Sequence, residues 1–185
     1  MATGRIGRAS LGQLAALLAA IGFLSAGATG AHAGPDESIE AIKKAGGKVE
    51  RDEAAADKPV VAVYLAGAQE ADAALTNLAG LDAVRKVTLN GSKITDVGLA
   101  HLANRPALRK IYLVDTKITD AGLDHLKSLA DLEIVSLVGT EVTDAGLEKL
   151  KGLAKLQTVF LAATKVTDAG VKTLQDALPM LKIIR

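Results

Sequence analysis

The hydrophobic positions of this chain recur every 24 residues over most of its length. Leucines hold this spacing in two registers: Leu89, Leu113, Leu137 and Leu161, and Leu102, Leu126, Leu150 and Leu174. A polar segment holds it as well, in Ile94-Thr95-Asp96, Ile118-Thr119-Asp120, Val142-Thr143-Asp144 and Val166-Thr167-Asp168, each followed by glycine at Gly98, Gly122, Gly146 and Gly170. A period of this length predicts a solenoid, in which each turn buries its apolar residues against the next turn.

Within each period the spacing of apolar residues changes from two-fold to helical. Ile111 and Leu113 alternate with outward-facing residues, which predicts a short strand with one face directed inward. Leu123, Leu126 and Leu129 then recur at every third residue, which favours a short helix. The prediction is a right-handed α/β solenoid, with a parallel sheet on the concave face and short helices on the convex face.

The repeat also carries a recognisable signature in Leu108-x-x-Ile111-x-Leu113-x-x-Thr116-x-Ile118. This pattern resembles the leucine-rich-repeat family, whose signature is L-x-x-L-x-L-x-x-N/C-x-L, over residues 60–185. The Thr-Asp-Ala-Gly-Leu segment is similar to the short repeat of bacterial exported proteins, and to repeats of F-box and ribonuclease-inhibitor-like proteins. The resemblance implies the fold and says little about function.

In place of the family's asparagine, successive turns carry hydroxyl residues at Ser92, Thr116, Thr140 and Thr164. Because a hydroxyl can also bond the backbone of its own turn, we interpret all four as structural residues.

Three segments follow from the pattern. Residues 60–185 form the solenoid, with about five turns, degenerate first and last turns and a terminal strand. Residues 34–59 form an N-terminal cap: a helix starting near Asp36-Glu37-Ser38, with Ile39 and Ile42 facing inward, and an added strand at Lys48–Asp52. Residues 1–33 are predicted to be a signal peptide.

The signal-peptide prediction rests on the order of residue types at the N-terminus. Arg5 and Arg8 precede an apolar run at Leu11–Ala28, and Ala31-His32-Ala33 offers small residues for cleavage after Ala33. The prediction is a secreted or periplasmic protein with no membrane span after cleavage. An uncleaved membrane anchor is the alternative.

Charge and cysteine content argue against several kinds of partner and covalent or metal site. Without Arg5 and Arg8 the chain has 20 Lys and Arg against 21 Asp and Glu, a net charge of −1, which argues against a nucleic-acid partner. No cysteine is present, so disulfides, thiolate metal sites and a lipoprotein anchor are excluded.

The repeated carboxylates and the two histidines of the repeats are the candidate metal ligands. An aspartate recurs at Asp72, Asp96, Asp120, Asp144 and Asp168. One carboxylate per turn falls short of the six to eight oxygens of a calcium ion, so these residues are interpreted as helix caps. His101 and His125 occupy equivalent places, but the next equivalents are Lys149 and Thr173, so surface histidines are favoured over a metal site. The sequence predicts no metal and no cofactor.

The side chains that point outward from the strands are the candidate ligand-binding residues: Tyr64, Thr88, Tyr112, Ser136 and Phe160. They are called the central column below. It contains all three aromatic residues that follow the predicted signal peptide. With strands about 4.8 Å apart, rings in alternate turns are expected about 9.6 Å apart, with a low gap between them. The alternative is that aromatics stand there because strands favour them.

A basic patch is expected beside this column. Arg85 and Lys86 precede Arg109 and Lys110 by one turn, and four cations there could steer an acidic partner. These residues favour a binding module for a protein, peptide or glycan. A structural unit that assembles through the strand Leu181–Arg185 is the first alternative, and an enzyme or metal protein is the second. No catalytic motif such as G-x-S-x-G or H-E-x-x-H is present, so a non-enzyme is predicted. The oligomeric state is left open.

Overall fold

The structure is a computed structural model that describes residues 34–78 and 80–185; the predicted signal segment 1–33 lies outside the described residues. The strands are β1 (Lys48–Arg51), β2 (Val60–Tyr64), β3 (Lys86–Thr88), β4 (Lys110–Tyr112), β5 (Ile134–Ser136), β6 (Thr158–Phe160) and β7 (Lys182–Ile184). The α-helices are α1 (Pro35–Lys44), α2 (Ala71–Thr76), α3 (Asp96–Leu99), α4 (Asp120–Leu123), α5 (Asp144–Glu148) and α6 (Asp168–Ala177). Single 3₁₀ turns follow α3 (Ala100–Leu102) and α4 (Asp124–Leu126).

The strands lie in one sheet in chain order, from β1 to β7. Strands β2 to β7 pair in parallel with a constant register, so that each residue lies beside its repeat equivalent, as in Val87↔Ile111. Strand β1 departs from the expected all-parallel sheet because it runs antiparallel to β2. The reason is geometric: residues 52–59 are too few for the crossover that a parallel pair requires.

The apolar faces of strands and helices meet in one continuous core that runs from Ile39 to Leu181. The inward strand residues Ile111 and Leu113 are fully buried, as are Leu123, Leu126 and Leu129 of the helical side. The core supports the predicted α/β solenoid, since each turn alone would leave these leucines exposed.

The hydroxyl residues that replace asparagine make the hydrogen bonds expected of them. Each side chain donates to the carbonyl oxygen three residues earlier, over 2.6–2.7 Å: Ser92 to Leu89, Thr116 to Leu113, Thr140 to Leu137 and Thr164 to Leu161. After β3 to β6, a buried or half-buried hydroxyl thereby closes the turn that follows the strand.

The repeated threonines and aspartates do more than cap helices. The N-caps are Thr119, Thr143 and Thr167, whose hydroxyls accept a backbone N–H of their own helix, and not the aspartates that the sequence predicts as caps. The aspartates, however, bond to the following turn. In Asp72, Asp96, Asp120 and Asp144, one carboxylate oxygen accepts the backbone N–H of the next turn's threonine over 2.8–2.9 Å, and the other accepts its hydroxyl over 2.6–2.7 Å. These four residues form the aspartate ladder.

The ladder also explains the repeated glycines. A Cβ atom at Gly98, Gly122, Gly146 or Gly170 would collide with the carboxylate oxygen of the preceding turn's aspartate. The first turn has Ala74 at this position, where no aspartate precedes it. Glycine is therefore required by the neighbouring turn and not by its own helix.

The backbone adopts a left-handed conformation at one equivalent position of each turn, two residues after the buried leucine that follows the strand. The positions are Gly67 (φ 71°), Gly91 (φ 64°), Asp115 (φ 53°), Gly139 (φ 69°) and Ala163 (φ 55°). Three are glycine, and aspartate tolerates this region moderately well, so Ala163 carries the largest steric cost.

Candidate binding surface on the sheet

The sheet places the central column in a single row. Adjacent pairs are aligned across each strand boundary: Tyr64↔Thr88, Thr88↔Tyr112, Tyr112↔Ser136 and Ser136↔Phe160. The row continues to Ile184 of β7, which lies beside Phe160 at the same spacing of 24 residues. The three aromatic side chains are partly exposed, so their rings are accessible from the open side of the sheet.

Lys86 lies between the first two rings of the central column. Its Nζ atom is 4.9 Å from the centre of the Tyr64 ring and 5.7 Å from the centre of the Tyr112 ring, which is cation–π distance for both. The same ammonium donates to the Tyr64 hydroxyl over 3.3 Å, and that hydroxyl donates to Glu50 over 2.6 Å. The cation is therefore held in place by two rings and one hydrogen bond.

The two small residues of the central column expose little of their polar surface. The hydroxyl oxygen of Thr88 is buried and has no hydrogen-bond partner among the described residues. Ser136 is only 4% exposed. Thr88 and Ser136 therefore offer a ligand little hydrogen-bonding capacity, whereas the rings of Tyr64, Tyr112 and Phe160 are partly exposed.

The predicted basic residues also come together. Arg85, Lys86, Arg109 and Lys110 line one cavity of about 370 Å³ at the start of strands β3 and β4. The cavity is called the basic cavity below. Its remaining lining residues are Glu50, Asp52, Val61, Ala62 and Glu133.

The carboxylates of the basic cavity reduce its charge. Arg109 lies 3.4 Å from Glu133, and half of the Arg109 side chain is exposed, so this pair is weak. Within residues 34–78 and 80–185, Arg85 and Lys110 have no ion-pair partner within 4 Å. The sequence alone does not reveal Glu50 and Asp52 as lining residues, since the antiparallel β1 that brings Glu50 beside Ala62 has no repeat partner to indicate its register.

The two repeat histidines lie on the helical side. His101 is exposed and His125 partly exposed. In the part of the chain that the structure describes, no group of three or more His, Asp and Glu side chains is arranged to hold a metal ion.

No protein-family model matches this sequence, and no curated protein matches it either. Solved structures do match the fold. Internalin C2 from Listeria monocytogenes is 18% identical, with 83% of this chain and 68% of that chain covered at a TM-score of 0.55. A chain of the Drosophila melanogaster SNF/U2A' complex is 17% identical, with 79% and 80% covered at a TM-score of 0.50. Such identities show a shared fold alone.

The parallel sheet, the short helices and these structural neighbours define the fold as an α/β leucine-rich-repeat solenoid. Among the helices of residues 34–78 and 80–185, none is both long and apolar enough to cross a bilayer.

Proposed function

We propose that this protein is an exported, non-catalytic binding module that holds a protein or peptide partner on the concave face of its sheet. The observation that carries the proposal is the central column, in which Tyr64, Tyr112 and Phe160 stand in one aligned row with Lys86 clamped between two rings. Rings fixed on a sheet give a large contact area at low entropic cost, which is typical of residues that dominate binding energy.

The two parts of the surface suit different parts of a partner. The rings and Ile184 offer apolar contact along the row, while Arg85 and Lys110 at the basic cavity offer cations with no ion-pair partner within 4 Å among the described residues. A partner segment with an apolar side chain beside an acidic one fits both features. A glycan would stack on the same rings and is the alternative ligand class.

Export is part of the proposal. It is supported by the signal-peptide pattern of residues 1–33. The short Thr-Asp-Ala-Gly-Leu repeat type, which is similar to that of bacterial exported proteins, agrees with it.

A double variant tests the binding surface. We expect Tyr112→Ala with Phe160→Ala to weaken retention of envelope proteins or peptides by at least about tenfold, because two apolar anchors are removed. The matched control is Val97→Ala with Met180→Ala, which removes apolar side chains that are 72% and 94% exposed outside the central column. Equal retention by both variants, with the fold intact by circular dichroism, would exclude this surface. Competition by soluble glycans but not by peptides would favour the glycan alternative.

A structural role is the second candidate, and β7 favours it. This strand is the edge of the sheet, and Ile183 and Ile184 on it are only half-buried. An exposed edge can pair with another strand. Light scattering on a size-exclusion column distinguishes the roles, since a protein that stays monomeric at high concentration would contradict self-assembly.

A further inference from the structure

An arginine occupies a leucine position of the core in one turn. Arg105 is spaced by 24 residues from Leu81 and from Leu129, which are 4% and 0% exposed. The backbone is the same in all three turns: each of these residues donates its N–H to the carbonyl three residues earlier and accepts from the N–H three residues later. Arg105 is therefore a substitution within an unchanged scaffold, and such local departures from a repeat are often functional.

The side chain of Arg105 is largely buried, and its guanidinium is only partly paired. Its side chain is 14% exposed, and its one described hydrogen bond is a single contact of 3.3 Å from Nη1 to Asp82, whose side chain is 93% exposed. Burial lowers the pKa of Arg105, and the nearby Asp82 charge offsets part of this effect. A guanidinium has five N–H donors, so most of its hydrogen-bonding capacity is unused by the described residues.

Arg105 also lines a cavity of about 340 Å³ on the helical side. The cavity is lined by Leu75, Thr76, Gly80, Asp82, Ala100, His101, Asn104 and Arg105. None of these residues belongs to the sheet, so the cavity is separate from the central column and from the basic cavity.

We propose that this cavity is a binding site for an oxyanion, a carboxylate or phosphate group of a small ligand, with Arg105 as its main anchor. The planar guanidinium matches such groups with two parallel hydrogen bonds. The side chains of His101, Asn104 and Thr76 line the same cavity and supply further donors. The carboxylate of Asp82 occupies one donor of the guanidinium in this structure. Because the Asp82 side chain is highly exposed, a ligand oxyanion can displace it.

A purely structural explanation is that the aliphatic stem of Arg105 replaces leucine while the charged group reaches solvent. That explanation gives no role to the polar residues that line the cavity. The structural explanation and the binding-site proposal also predict different effects of Arg105→Leu on ligand binding. Because this change restores the side chain that the other turns bury, it keeps the fold, so that loss of binding in this variant is not a result of unfolding.

The test uses inorganic phosphate and succinate as probes in separate calorimetric titrations of the purified protein. We expect at least one probe to bind, Arg105→Leu to weaken it about 10- to 100-fold, and Arg105→Lys, which keeps the charge but not the planar group, to recover only part of the affinity. Binding of phosphate alone points to a phosphate ester, binding of succinate alone to a carboxylate, and binding of both to a general oxyanion site.

His125→Ala is the control, since His125 is the repeat equivalent of His101 and does not line the cavity. If neither probe binds the unaltered protein, or if Arg105→Leu binds as well as the unaltered protein does, the proposal is wrong. Circular dichroism of each variant verifies that the solenoid is intact. The outcome is independent of the proposed function of the sheet, because no residue is shared.

Discussion

The carboxylate of Asp120 bonds twice to Thr143 of the next turn: Oδ1 accepts its backbone N–H over 2.8 Å, and Oδ2 accepts its hydroxyl over 2.6 Å. The same hydroxyl accepts the N–H of Ala145 over 3.2 Å, so one threonine links an aspartate of the preceding turn to the start of its own helix. The turns are thus joined on the helical side by charged hydrogen bonds, while the leucines join them inside.

Removing one member of the aspartate ladder is expected to destabilise the solenoid. Asp120→Ala loses two charge-assisted hydrogen bonds, and we expect the free energy of unfolding to fall by about 2–3 kcal/mol. The control is Asp168→Ala, whose side chain is 97% exposed and bonds to no threonine of a following turn. This second change is expected to stay within about 0.5 kcal/mol. Urea denaturation measures both, and similar losses in the two variants would contradict the role of the ladder.

The glycines beside the ladder give a second prediction. In Gly146→Ala the new Cβ would collide with the Asp120 carboxylate and press on Val142, so we expect a loss of about 1–3 kcal/mol despite the better helix propensity of alanine. Gly152→Ala is the matched change, since no atom lies within 4 Å of its added Cβ. Thermal unfolding should separate the two variants, and an unaffected Gly146→Ala protein would refute the packing argument.

Acid should weaken the connections between turns. The pKa of Asp144 is lowered by hydrogen bonds from the Thr167 hydroxyl and then from its backbone N–H, and the pKa of Asp124 is lowered to about 2 by Lys127 and Lys149. Because these folded-state values lie below the unfolded value of about 3.9, their stabilisation is complete above that pH and is lost as the pH falls through the folded pKa. We expect urea midpoints to drop between about pH 5 and about pH 2.

Asp144→Asn should show a smaller drop over that range, because one of the titrating groups is gone. An identical pH dependence in the variant and the unaltered protein would contradict the contribution of Asp144.

Ala163 offers a stabilising change. Its φ of 55° lies in the left-handed region, and the equivalent residues of three other turns are glycines. We expect Ala163→Gly to raise the free energy of unfolding by about 0.5–1 kcal/mol, since relief of the steric cost exceeds the added entropy of the unfolded chain. The reciprocal change Gly91→Ala should lower it by a similar amount. A shift of both melting temperatures in the same direction would argue against this explanation.

The sequence predicts the periodic part of this fold well because the same 24-residue spacing applies to every interior turn. The strand and helix positions, the buried leucines and the hydroxyl residues that close each turn are confirmed at their expected residues. The degenerate first turn has a reason that only contacts between turns reveal. It keeps Asp72, which bonds forward to Thr95, and lacks the threonine and glycine that would serve a preceding aspartate.

The candidate surface is predicted less completely, because side chains that cross between strands do not follow the period. The row of Tyr64, Tyr112 and Phe160 follows from spacing alone. The position of Lys86 between two rings, and of Glu50 beside Tyr64, depends on long side chains and on an antiparallel strand that occurs once. Arg105 is visible in the sequence as a missing leucine, yet its burial and its single partner require the structure.

The polarity of the ladder has a consequence for how such a chain can change in length. Each interior turn carries one aspartate that accepts two hydrogen bonds from the turn ahead and one threonine that donates two to the turn behind, so every interior junction is chemically the same as the next. A gene segment encoding one whole turn could be duplicated or deleted in frame, and the new neighbours would still match. A shift by even one residue would leave a carboxylate facing the wrong backbone, which restricts evolution of this protein to whole modules.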